Sequence, residues 1–176
     1  MKKFIIINTL CIFSLCFLTH FLYDLFPNNL FALFFPVNES IWEHMKMLFT
    51  TIMIYGLIEY VFYVKLNYST RNFTLTLFLK GFLNIIIYLV LFLPLYALFG
   101  HNMILTISIL FISILLTESI GYIIKQKKEV KMLNSISFFF IVLSFILFGY
   151  LTYYPLKNDL FFDQKNKKYG INIYVK

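Results

Sequence analysis

Within residues 36–46 the chain sets Asn38, Glu39, Trp42, Glu43, His44 and Lys46 side by side in otherwise apolar surroundings. A short way upstream, His20 and Asp24 stand four residues apart, a spacing that places both on one helix face about 6 Å from each other. Histidine and carboxylate groups at helical spacing are ligands for zinc or a similar divalent metal ion, with one position left open for water. Such a water could serve as nucleophile, with a spare glutamate as general base. Without a metal, Glu43 and His44 could form an acid–base pair. A helix starting at Asn38 or Glu39, with Asn38 as N-cap, would carry Glu39, Glu43 and Lys46 down one face and turn His44 about 100° from Glu43.

Only residues 25–38 separate the two groups, so both are expected at one membrane boundary. The five candidate catalytic or metal-ligating residues are therefore His20, Asp24, Glu39, Glu43 and His44, expected to converge on one outward-facing pocket. A plainer reading competes with this one. Glu39 and Glu43 suit a helix N-terminus, Lys46 can snorkel to the surface, and Trp42 can anchor at the interface. His20 and Asp24 can then be a hydrogen-bonded clasp. No His-Glu-x-x-His pattern occurs. Intramembrane proteases of the CAAX-processing type need a double glutamate followed by arginine. Here only His20-x-x-x-Asp24 matches, and the sole arginine is Arg71.

These residues must be positioned by greasy elements. Of the 176 residues, 61% are hydrophobic and 13% charged, with 23 Phe and 13 Tyr. That composition excludes an ordinary soluble domain. The apolar runs are continuous, not alternating, which argues against a β-barrel and for an all-α, polytopic membrane helix bundle. The net charge of +7 comes from lysines in short loops, as the positive-inside rule expects, so nucleic acid is not the expected partner and the lipid bilayer is. Cys11 and Cys16 point to different sides of the first run and read as small packing residues.

Five spans are expected, at 4–26, 38–64, 73–99, 103–124 and 134–153. The first begins like a secretory signal but has no small-residue cleavage site. Residues 27–37, bracketed by Pro27 and Pro36, read as an interfacial segment. Residues 1–153 form the bundle and 154–176 a polar and aromatic tail outside the cytoplasm. Lys2, Lys3, Lys65, Arg71, Lys125, Lys127, Lys128 and Lys131 fall on one side, so the N-terminus is expected inside, in the cytoplasmic membrane of a bacterium. His101 joins the outer polar layer. Glu59, Lys80 and Glu118 form an inner one. Charges at that depth cost about 2.5–3.5 kcal/mol each, so Lys80 should pair with Glu59 or Glu118. A proton or cation path between the two layers is a third reading. The chain lacks two similar halves, so a transporter would need a homo-oligomer or a membrane partner protein.

The run Pro36-Val-Asn-Glu-Ser-Ile-Trp-Glu-His-Met-Lys46 resembles the PVNESxWEHxK signature of a family of small bacterial integral membrane proteins of unknown function. Thr152-Tyr-Tyr-Pro155, Leu160-Phe161, Asp163 and Tyr169-Gly170-Ile171 resemble its carboxyl-terminal pattern, with Leu156 in place of a second proline. His20-x-x-x-Asp24 fits as well. The resemblance implies a multi-pass architecture and carries no activity.

Overall fold

Apolar runs of this length satisfy their backbone groups in hydrocarbon only by coiling, and the computed structural model of the chain is helical through most of its length. It describes residues 2–100, 102–171 and 173–174; His101 lies outside the described residues. The elements are α1 (Lys2–Leu25), α2 (Asn29–Phe34), α3 (Ile41–Lys65), α4 (Phe73–Phe99), α5 (Met103–Lys125) and α6 (Lys131–Tyr153), followed by short strands β1 (Phe162–Asp163), β2 (Lys168–Tyr169) and β3 (Ile173–Tyr174). Among the described residues, α1, α3, α4, α5 and α6 are long and apolar enough to cross a membrane. The interfacial segment contains α2, a single capped helix of six residues.

Helix α4 is the hub, packed against α3, α5 and α6. Helix α1 lies against α3 and α5, and α2 against α6. Small residues set the closest approaches. A side chain at Gly81 would run into Phe49 and Met53 of α3, and one at Gly121 into the Lys80 stem. The C-terminus of α1, α2 and the start of α3 gather at one end, called here the site end. At the far end Asn72, in a left-handed conformation that asparagine tolerates, donates to the carbonyls of Lys127 and Lys128 and accepts from Val130 N–H, joining the two far-end loops.

One expectation is corrected. Helix α3 begins at Ile41, not at Asn38 or Glu39. Ser40 is its N-cap, its Oγ accepting from the Glu43 N–H at 3.3 Å. A serine three residues before a glutamate is half of a capping box, and it stops the helix from starting earlier. Asn38 lies outside the helix: its Oδ1 accepts from Ser40 N–H and its Nδ2 donates to the Gly170 carbonyl at 2.8 Å. The tail has a structure that the sequence reading did not assign. It folds into an antiparallel sheet in the order β1-β2-β3 and closes over the start of α3. Trp42 N–H donates to the Leu160 carbonyl at 2.9 Å, and Ile171 N–H to that of Thr152 at 3.2 Å. Gly170 makes this return possible. Its φ is +53°, and a β-carbon there would collide with the Thr152 carbonyl oxygen, so only glycine fits.

Candidate functional site

Three of the five sequence candidates meet at the site end. His20 comes from the penultimate turn of α1, Glu39 from the segment before α3, and His44 from the first turn of α3. Glu39 Oε2 lies 3.7 Å from His20 Nε2 and 3.5 Å from His44 Nε2. The two imidazole rings are 5.3 Å apart, centre to centre. One ligand atom from each residue falls within 4.8 Å of the other two.

The tautomer of His44 follows from its second nitrogen. Nδ1 is 2.9 Å from the Ser40 carbonyl oxygen. A carbonyl only accepts, so Nδ1 carries the hydrogen and the neutral ring presents its Nε2 lone pair to Glu39. This is the outer-shell arrangement that orients metal-binding histidines. Two acceptors facing each other at this range need a proton or a cation between them. Zinc-class bonds of about 2.0–2.1 Å set tetrahedral ligand atoms about 3.3–3.4 Å apart, a little shorter than the 3.7 and 3.5 Å from Glu39 to the two histidines.

Glu39 is held from behind by a residue the sequence reading did not assign to the site. Its backbone N–H donates to Asp163 Oδ2 at 3.2 Å. Asp163 is fully buried and also accepts from Lys165 N–H, Asn166 N–H and Asn166 Nδ2. Burial alone would raise its carboxyl; the hydrogen bonds from Asn166, Glu39 and Lys165 outweigh it and hold the group below its usual range. The aspartate turn in Asp163-Gln-Lys-Asn166 was the available signal. Glu39 itself is lowered to about 2 by the His20 side chain first, against burial, with the charges of His44, His20 and Lys165 adding to the effect.

Asp24 and Glu43 do not join this group, contrary to expectation. Asp24 is exposed. Glu43 is buried and turned the other way, because a start at Ile41 removes Glu39 from the helical face that Glu43 and Lys46 share. Glu43 Oε2 lies 2.6 Å from Lys46 Nζ and accepts from Val37 N–H; Oε1 accepts from Thr152 Oγ1 at 2.8 Å. Lys46 is not a snorkelling residue. It is completely buried and donates to the Ala32 carbonyl of α2 and to Thr152 of α6. Nor is Trp42 an interface anchor: it is buried, stacked on Phe161 at 4.7 Å and against Phe148 at 5.0 Å. Glu43, Lys46, Thr152, Asn38 and Trp42 thus form a clasp joining α2, α3, α6 and the tail.

A cavity of about 240 Å³ opens beside the His20–Glu39–His44 group, walled by Cys16, Phe17, Leu48, Tyr88, Ile107 and Leu110 among others. Apart from the three candidate ligands, its lining is mostly apolar, with Tyr88 and Thr106 as the other hydrogen-bonding side chains.

At the far end, the expected pairing of Lys80 is present. Lys80 forms an ion pair with Glu118 and stands 3.8 Å from Glu59. Lys125, read from the sequence only as a loop charge, reaches Glu59 at 2.7 Å and lies over the Tyr63 and Phe73 rings. Asn8 of α1 donates to both Glu59 and Glu118 at 3.2 Å, and accepts from Tyr55. Two carboxylates and two ammonium groups balance, which is how buried charge is tolerated at such depth.

Comparison with known proteins gives one match. The family described as "Family of unknown function (DUF6512)" matches residues 1–171. No curated protein and no solved structure matches the chain.

Proposed function

The chain belongs to this family of unknown function, DUF6512, and for this member we propose a membrane-embedded site for a divalent transition-metal ion, ligated by His20, Glu39 and His44. The observation that carries the reading is the facing of three ligand atoms from three separate segments, with the second nitrogen of His44 already engaged by the Ser40 carbonyl. Two imidazoles and one carboxylate suit zinc and its neighbours better than calcium or magnesium. The cavity supplies the open fourth position. Arg71, Lys127, Lys128 and Lys131 near the far end support an orientation with that end in the cytoplasm and the site end outside.

Binding is favoured over hydrolysis by the position of Glu43. As general base it would have to face the metal, yet both its oxygens are engaged by Lys46, Val37 and Thr152. The test is elemental analysis of the full chain purified in detergent after equilibration with micromolar Zn(II), with Co(II) absorption as a second readout. One ion per chain is expected, lost in His44→Ala and Glu39→Gln and kept in Asp24→Asn. Failure to retain Zn(II), or equal retention in all three variants, would overturn the reading.

A further inference from the structure

The two polar regions are joined by a face of α4 that neither the metal site nor the ion cluster explains. Tyr88 lines the site-end cavity. Lys80 belongs to the far-end cluster and lines a small void there with Glu59 and Glu118. Lys80, Asn84 and Tyr88 recur at intervals of four and are all buried, so they lie one above another on one helix face. Eight residues at 1.5 Å each put only about 12 Å between the cavity level and the cluster level.

Asn84 sits halfway. It is completely buried, and neither its amide nitrogen nor its amide oxygen has a hydrogen-bond partner among the described residues. The hydroxyls of Thr76 and Thr117 are likewise buried and unpartnered. Thr50 of α3 is buried and unpartnered as well, whereas Thr51 donates to the Met47 carbonyl and Ser144 to that of Phe140. Gly121 of α5 abuts Lys80 and Thr76. One turn back along this antiparallel helix, Thr117 reaches the level between Lys80 and Asn84. Asn84 and Thr117 therefore fall between Tyr88 and Lys80, with Thr76 one turn beyond Lys80 on the same face, at a depth where an unsatisfied amide is costly and where mobile water is the natural partner.

We propose that the Lys80–Asn84–Tyr88 face carries a proton path between the site-end cavity and the Glu59–Glu118 cluster. The carried species is the proton, passed along hydrogen-bonded water. The void at the far-end mouth is only about 10 Å³, room for about one water and not for a hydrated metal cation. Glu59 and Glu118 supply carboxylates that can take the proton up and release it. The proposal does not depend on a metal at His20, Glu39 and His44.

The test uses the full chain, metal-free, in vesicles holding a pH-sensitive dye, with potassium and valinomycin carrying the compensating charge. Proton entry well above that of empty vesicles is expected. Asn84→Leu, which fills the midpoint with an apolar side chain, should cut the excess at least tenfold while keeping the wild-type elution profile and melting temperature. Asn84→Ala, which leaves more room for water, should conduct at least as fast as wild type. Flux equal to that of empty vesicles, an unaffected Asn84→Leu protein, or a loss in Asn84→Ala as large as in Asn84→Leu would each overturn the proposal. Metal retention is read separately, so failure here is distinct from failure of the metal site.

Discussion

The backbone N–H of Glu39 donates to the carboxylate of Asp163, 124 residues further along the chain. Through this bond a folded tail sets the height of a carboxylate that faces two histidines. Asp163 is thus a positioning residue for the proposed metal site, without touching the ligand atoms. Asp163→Ala should weaken Co(II) binding by about 10–100-fold, the usual effect of losing an outer-shell partner. The Co(II) absorption should keep its shape and saturate at a higher concentration. An unchanged binding curve would show that Glu39 needs no support from the tail.

The pH dependence follows from Glu39. Its carboxyl is lowered from 4.5 to about 2, so the folded chain binds that proton less tightly than the unfolded chain does. The resulting stability is fully present above pH 4.5 and is lost as the pH falls toward 2. Melting temperature in detergent, followed from pH 6 down to pH 2, should decline more steeply for wild type than for Glu39→Gln in that window. Parallel curves for the two proteins would contradict the assignment.

Lys46 and Glu43 make the clasp vulnerable to single changes. Lys46→Met leaves a buried carboxylate without its cation and should cost about 3–5 kcal/mol. Adding Glu43→Gln removes the stranded charge and should restore a large part of the loss. Denaturant unfolding in detergent checks both, and strict additivity of the two substitutions would refute the pairing.

Orientation is checked by cysteine labelling in intact cells. Cysteines introduced at Asn102 and Lys167, at the site end, should react with an impermeant thiol reagent. A cysteine at Lys127, at the far end, should not. Labelling at Lys127 alone would invert the arrangement.

Gly170 offers a test of the tail as a folded element. Gly170→Ala places a β-carbon against the Thr152 carbonyl in a left-handed conformation. The tail should detach, exposing Trp42, whose fluorescence should shift to longer wavelength. Protease cleavage between residues 155 and 170 should also quicken.

The spans were legible because length and hydropathy act locally. An apolar run of some 23–27 residues has no other way to satisfy its backbone in lipid, and the third expected span, 73–99, is the observed α4 (Phe73–Phe99). The short link between His20 and residues 36–46 also made their proximity readable, as did the depth of Lys80 its pairing with Glu118. Which side chains share a site was a different matter. A start at Ile41 takes Glu39 out of the helical register that would have placed it on the face of Glu43 and Lys46. Ser40 capping the Glu43 N–H therefore sent Glu39 to the histidines and Glu43 to Lys46, although Ser40-x-x-Glu43 was present in the sequence as a signal. Asn8, Tyr55 and Lys125 carried no local sign of their roles, and the turn signal at Asp163 did not reveal its bond to Glu39. Their partners lie on other helices or at the other end of the chain, and only the packing of α1, α3, α4 and α5, with the tail folded back over α3, brings those charges and donors within reach of one another.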